Sequence, residues 1–433
     1  MTTIPESFAQ WQEAALAAPE KLASGLLERI EALPRDVGYA VFAHTPDAAA
    51  LSEALEKVLR TESALKGLPT AVKDLFDWPG LPTKAGSRFL TKERPDTSAG
   101  SAVQRLMEAS GLVHAGKTHL NEFAYGLSGE NLHFGRVPHP TRPEGGRLSG
   151  GSSSGSAYVV GAGLMPLAFG TDTGGSVRVP AGFCGIYGVR LTPNHPLSKE
   201  GCFPLSPLFD TCGWFTRQAA DMLQALDVLL PEAEGARAAQ DVQLRGAYLP
   251  ELTGELAPEV RSALDALAAK LLDTSVTEDA SDELTQQLKE LNGTFSTIQS
   301  HDACKVHEPW LDRRKADYDP VVWERIDRGR RWTSKQLEAA EKRREAVQGL
   351  VATYFETHDV LLIPTAPGPS PLPEENDVAF RMRLLDLGAT GSLCGLPALS
   401  VPATLPDGLT VGLQVLFKSI ESAPWKAVLN RLS

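Results

Sequence analysis

The chain has 433 residues, 42% hydrophobic and 22% charged, a composition that fits a soluble globular protein and excludes both a disordered chain and a membrane-embedded one. Lys and Arg total 42 against 54 Asp and Glu, and a net charge of −12 makes nucleic acid a poor partner, because an acidic surface repels phosphate. The five cysteines (Cys184, Cys202, Cys212, Cys304 and Cys394) are odd in number and contain no CxxC pair, so neither a disulfide framework nor a structural zinc site is expected, and a reducing cytoplasm fits best.

Met1 to Ala9 lacks a basic region followed by an apolar one, so no leader is expected there. The first sixty residues read as helices. Phe8, Trp11, Ala15 and Leu16 recur at helical spacing, then Leu22, Leu26, Leu27, Ile30 and Leu33, and Asp47 opens a third run over 47–59. From Gly67 to Gly188 short apolar runs (Thr70–Val72, Val113–Ala115, Leu167–Phe169) alternate with Gly-rich turns and with helical patterns at Ser101–Ala109 and Ser156–Gly163. Strands alternating with helices predict a mixed or parallel sheet covered by helices. The longest weakly polar stretch, Ala157–Phe169, is interrupted by Gly161, Gly163 and Pro166 and is too short to span a bilayer. Residues 217–357 read as mostly helical, with Arg261–Leu272 and Lys335–Phe355 the clearest amphipathic stretches. Val360–Ile363, Ala398–Val401 and Val411–Leu416 close the chain as strand candidates. No linker interrupts it, so a single domain over 1–433 with a helical lobe at about 217–357 is expected.

Three segments carry chemistry. Residues 145–157, GGRLSGGSSSGSA, read either as a flexible linker or as a loop of hydroxyls and free N–H groups at a helix start. Residues 170–180, GTDTGGSVRVP, place Gly174 and Gly175 before Ser176, which is either an ordinary tight turn or a nucleophile beside N–H groups that could meet an oxyanion. Residues 67–74, GLPTAVKD, put Lys73 at a strand end, either as a solvated lysine or as a base. An unperturbed lysine is neutral in only roughly one copy in 2,500 at pH 7, so the second reading requires a depressed pKa.

Together with AGKTHLNEFAYGLSGENLHFGRV, DVLLIPTAPGP and CGLPALSVPATLPDGLTVGLQV, these segments resemble the amidase signature family over roughly 55–217 and 358–417. The resemblance implies an α/β fold with a large mixed β-sheet core covered by helices on both faces. It also implies a Ser-cisSer-Lys triad, with Ser176 as nucleophile, Ser152 as the bridging serine and Lys73 as base. The backbone N–H groups of Thr173, Gly174, Gly175 and Ser176 would form the oxyanion hole. Asp172 and Arg178 would support that turn, Ala124 would turn its carbonyl to the substrate, and Ser153 would add a second hydroxyl. Ser154 stands where the usual family loop has glycine, a departure shared with allophanate hydrolases.

The implied activity is hydrolysis of a carboxamide-type C–N bond through a serine acyl-enzyme, with no cofactor and no metal. The alternatives are a glutaminase-type subunit of an amidotransferase complex, or a carbamate or ureide hydrolase. The expected partners are a small-molecule amide and at most a second copy of the chain in a homodimer, with no nucleic acid and no membrane. In the helical lobe, Trp310, Tyr318, Trp323 and Trp332 read either as packing or as a channel wall.

Overall fold

The computed structural model describes residues 4–95, 97–230 and 242–432. Residues 1–3, where no leader is expected, and 231–241 of the expected helical lobe lie outside the described residues. Among the described residues, thirteen strands follow in order: β1 Phe42–His44, β2 Pro69–Lys73, β3 Val113–Thr118, β4 Glu130–Asn131, β5 Gly135–Arg136, β6 Leu167–Asp172, β7 Tyr187–Arg190, β8 Thr211–Thr216, β9 Arg245–Tyr248, β10 Thr274–Ser275, β11 Val360–Pro364, β12 Ala398–Thr404 and β13 Thr410–Leu416. β4 and β5 form a separate hairpin. The other eleven make one sheet in the order β1-β3-β2-β6-β8-β7-β12-β13-β11-β9-β10. The sheet is mixed: β2 runs parallel to β3 and β6, whereas β6, β8, β7, β12, β13 and β11 pair antiparallel in succession.

Side chains alternate across this sheet, as strand geometry requires. Val360 and Leu362 of β11 join one apolar cluster, together with Phe8 and Trp11 of the N-terminal helix Phe8–Ala17 and Leu264 of helix Pro258–Leu271. Leu361 and Ile363 join a second cluster with Phe295, Val347 and Leu387, from helices Asn292–His307, Ser334–Tyr354 and Val378–Leu393. Helices therefore cover both faces, and strands buried on both sides read as unbroken apolar runs. Burying each of these branched side chains contributes roughly 1.5–3 kcal/mol.

Two strands escape the apolar pattern for a physical reason. β7 and β8 contain Gly188 and Gly213, and a Cβ at Gly213 would stand 2.1 Å from the Val189 carbonyl oxygen. The glycines permit this close backbone approach but interrupt the run that would announce a strand. The mostly helical region between 217 and 357 is also tied into the sheet, because it supplies β9 and β10 at one edge. Its helices Asn292–His307 and Pro320–Asp327 pack on the segments after β2, β3 and β7, where Phe89, Phe123 and Phe203 meet Ala303, Tyr318 and Ile326.

Candidate active site

The site forms where β2 and β6 end side by side. Their parallel register pairs Val72 with Phe169, so Lys73 and Thr171 emerge next to each other at the carboxyl ends of the strands. Lys73 is fully buried. Its Nζ lies 2.7 Å from Ser152 Oγ, 3.0 Å from Ser153 Oγ and 2.7 Å from Thr171 Oγ1.

The serine segment is no linker. Ser149, Ser152, Ser153, Ser154 and Ser156 are all buried, and helix Ser154–Gly161 enters the interior with every residue covered. The Gly151–Ser152 peptide is cis. A Cβ at Gly151 would stand 2.1 Å from Asn121 Oδ1 and 2.8 Å from the Gly129 backbone nitrogen, so any side chain there would force the loop to shift. Asn121 fixes this loop, since its N–H donates to the Ser152 carbonyl at 3.3 Å and its Oδ1 accepts from Gly129 N–H at 3.1 Å.

The hydroxyl network fixes which group donates. Ser153 Oγ donates to the Thr171 carbonyl at 3.1 Å and accepts from Thr171 N–H at 3.2 Å, so between Lys73 and Ser153 the lysine is the donor. A neutral amine has two N–H groups, which can serve Ser153 and Thr171 and leave the nitrogen lone pair facing Ser152. Burial lowers the Lys73 pKa to about 7, against the opposing pull of Cys202, Asp172 and Asp210. The neutral form is thus abundant near pH 7.

The turn bearing Ser176 is pegged from below by Asp172. Its Oδ1 accepts from Gly175 N–H (2.9 Å), Arg178 Nη2 (2.8 Å) and Arg190 Nη1 (2.8 Å). Its Oδ2 accepts from Val177 N–H (3.1 Å), Arg178 N–H (3.2 Å) and Arg178 Nε (3.0 Å). Burial alone would raise this carboxyl, but Arg178 and Arg190 hold it far below the ordinary carboxylate range. Thr173 Oγ1 donates to Asp210 Oδ1 at 2.6 Å, and burial raises the Asp210 pKa to about 6. From above, Arg178 reaches the Gly388 carbonyl, Ser392 Oγ and Gln414 Oε1, and a Cβ at Gly388 would stand 2.3 Å from the Gly174 carbonyl oxygen. Ser153 N–H donates to the Ser176 carbonyl at 3.3 Å, which sets the two serine segments side by side.

One expected donor is committed elsewhere. Gly175 N–H serves Asp172 rather than the oxyanion position, because the carboxylate beneath the turn captures it. Ser176, Gly174 and Ala124 line a cavity of about 460 Å³, within the range of small-molecule sites. Across it lie Arg325, Arg328 and Trp332. Of Trp310, Tyr318, Trp323 and Trp332, the last reaches this wall. Tyr318 is buried against His307 (2.8 Å), Trp310 Nε1 donates to His307 Nδ1, and Trp323 Nε1 donates to the Leu311 carbonyl.

Sequence reasoning missed Thr171, Arg190, Asp210 and the cavity arginines. Thr171 carried a signal, a hydroxyl at the end of the apolar run LAFG. The others are brought in by distant segments and carry none.

A mixed sheet with a buried lysine at a strand end, facing a paired-serine loop, defines a class of enzymes that hydrolyse amide C–N bonds. The chain belongs to the amidase family, whose model matches residues 21–421. It is 32% identical over 388 residues to Amidase 1 of Oryza sativa subsp. japonica, covering 81% of this chain and 86% of that protein. It is 31% identical over 438 residues to a glutamyl-tRNA(Gln) amidotransferase subunit of Nitrosococcus oceani, covering 92% and 90%. A crystal structure of an amidase aligns with a TM-score of 0.82 at 29% identity, over 98% of this chain and 99% of that one. Among the described residues, no helix is long and apolar enough to cross a membrane.

Proposed function

We propose that Ser176 is the acyl-forming nucleophile, Ser152 the bridging hydroxyl and Lys73 the base. The observation that carries this reading is the 2.7 Å contact between a buried lysine of lowered pKa and Ser152, beside the cavity that holds Ser176. The neutral Lys73 amine takes the Ser152 hydroxyl proton while Ser152 Oγ takes the proton of Ser176 Oγ, which attacks the amide carbonyl carbon. The carbonyl π electrons move to oxygen, and the N–H groups of Thr173, Gly174 and Ser176 receive the oxyanion. When the tetrahedral species collapses, the C–N bond breaks. Its nitrogen takes a proton from Ser152, which regains one from Lys73. Water then cleaves the ester on Ser176 by the same relay. The backbone donors meet the developing charge, so no step calls on a metal or a cofactor.

The test is Ser176→Ala. Turnover of a panel of small amides should vanish with the fold retained, and covalent labelling by a fluorophosphonate should vanish with it. Persistent labelling at another serine overturns the assignment. The kinship with an amidotransferase component favours a second reading, in which the same residues release ammonia to a partner chain. Amide hydrolysis by the purified chain alone supports the first reading. Glutamine hydrolysis that appears only with added subunits supports the second.

A further inference from the structure

The cavity beside Ser176 has an unusual charge balance. The chain carries a net −12, yet the cavity lining contains Arg325, Arg328 and Arg381 and no Asp, Glu, Lys or His. Arg325 and Arg328 come from helix Pro320–Asp327 and the turn Arg328–Arg331, and Arg381 from the first turn of helix Val378–Leu393.

Neighbouring arginines behave differently. Arg314 pairs with Glu93 at 2.6 Å, Arg330 with Asp312 at 2.8 Å, and Arg331 with Asp327 at 3.2 Å, while Arg313 also reaches Glu93. Among the described residues, no carboxylate lies within 4 Å of Arg325, Arg328 or Arg381 in an ion pair. Arg325 Nη1 is held by the Tyr125 carbonyl at 2.7 Å, Arg381 Nη1 by the Asn376 carbonyl, and Arg328 Nε is buried with no acceptor. Tyr125 does not neutralise them, because burial pushes its phenol up to about 12, against the pull of Arg328 and Arg325. The Arg325 guanidinium is disfavoured first by its burial. Arg381 and Arg328 add repulsion, offset in part by Asp319, whose Oδ1 caps the helix by accepting from Val321 N–H.

Three like charges converging on one cavity with no carboxylate in contact with them are costly to the protein alone. The cost is recovered when an anion arrives, and planar guanidinium forks match the two oxygens of a carboxylate. A locally unfavourable arrangement of this kind is expected at a functional surface rather than in a packing role. The remaining polar lining (Asn292, Ser296, Thr297 and Gln299) supplies neutral hydrogen-bonding groups and adds no charge.

We infer that the substrate is a small amide that carries a carboxylate, with the scissile carbonyl at Ser176 and the carboxylate held by Arg325, Arg328 and Arg381. This inference rests on the assignment of Ser176 as nucleophile. An acyl group of a few carbons with a terminal carboxylate suits a cavity of this volume, and the positive lining also draws such a substrate in through the field of an otherwise acidic protein.

The test compares kcat/KM for succinamate and glutaramate with that for butanamide and pentanamide, their neutral counterparts, and for 4-aminobutanamide. The acids should be preferred by roughly tenfold or more, the worth of one charge-assisted hydrogen bond, and the amine should be the poorest. Added salt should raise KM for the acids. Arg325→Gln, Arg328→Gln and Arg381→Gln should each shrink the ratio of acid to neutral turnover, and Arg381→Lys should retain part of it. Equal or greater turnover of the neutral amides overturns the inference, and so does a preference for 3-phosphonopropanamide over succinamate.

A binding arm reads the site without turnover. Glutarate titrated into the Ser176→Ala protein should bind, and Arg325→Gln or Arg381→Gln in that background should weaken it roughly tenfold. Glutarate binding weaker than roughly 10 mM overturns the inference, whatever the variants do. Fluorophosphonate labelling separates the two claims. Labelling of Ser176 without any acid preference sinks the carboxylate site alone, whereas glutarate binding without labelling of Ser176 sinks the nucleophile alone.

Discussion

Replacing Asp172 with asparagine is the sharpest test of how the Ser176 turn is held. The carboxylate accepts three hydrogen bonds on each oxygen, and an amide keeps one acceptor oxygen and presents N–H groups at the other position. Three contacts are lost, and the buried guanidiniums of Arg178 and Arg190 lose their counter-ion. Arg178 retains Gly388, Gln414 and Ser392, and Arg190 retains the carbonyls of Leu396 and Asp172, so neither is stripped of partners. Breaking a buried pair of this kind costs about 3–5 kcal/mol, against a total stability of about 5–15 kcal/mol. The variant should fold at 25 °C with a much lower urea midpoint, and kcat/KM should fall about a hundredfold as the turn loses its peg. The pH dependence has a definite sign. The folded pKa of Asp172 is depressed, so its stabilisation is present above the unfolded value near 3.9 and is lost as pH falls below it. Wild type and variant should therefore differ most at neutral pH and converge in strong acid. Urea titrations at pH 7 and in acid, with parallel kinetics, measure both effects. A loss below about 1 kcal/mol at pH 7 with near-normal kcat/KM would refute the reasoning.

Three further outcomes follow from the same geometry. The acid limb of kcat/KM should rise through about pH 7, because Lys73 must be neutral to accept a proton; a profile flat across that range, with chemistry limiting, rules the lysine out as base. Thr171→Val removes an acceptor that favours the ammonium form, so the limb should move toward acid by up to about one pH unit while kcat falls, and a shift toward alkali would contradict that role. Gly151→Ala should cost about 1–3 kcal/mol and most of the activity, since its Cβ meets Asn121 Oδ1 at 2.1 Å; normal thermal stability would show that the loop can yield to a methyl group.

Much of this architecture is written locally in the chain. The apolar runs that end at Lys73 and at Gly170 name β2 and β6, and these two strands set the lysine beside the serine loop. β7 and β8 stay hidden because their glycines serve a backbone contact that only the folded sheet reveals. The Asp172 peg is half legible. Arg178 lies six residues away in the same motif, whereas Arg190 arrives from β7 and Asp210 from the approach to β8. The arginine wall is the least legible part, because Arg325, Arg328 and Arg381 sit in helical sequence crowded with other arginines. Charge spacing alone cannot tell a cavity-facing guanidinium from one paired at the surface, as Arg330 and Arg331 are.

Helix Val378–Leu393 bears on how such an enzyme can be altered. Its sixteen residues span about 24 Å, and the two ends do different work. Val378, Arg381, Met382 and Leu385 border the cavity, with Val378 and Met382 largely exposed at its mouth. One turn further along, Gly388 rests against the Gly174 carbonyl and Ser392 holds Arg178. The inner end clamps the axis of the helix against the Ser176 turn, so side chains at the outer end can be exchanged while the helix stays in place. Engineering a new substrate range should therefore begin at positions 381, 382 and 385, where charge and bulk are adjustable. Any residue larger than glycine at 388 would disturb the chemistry itself.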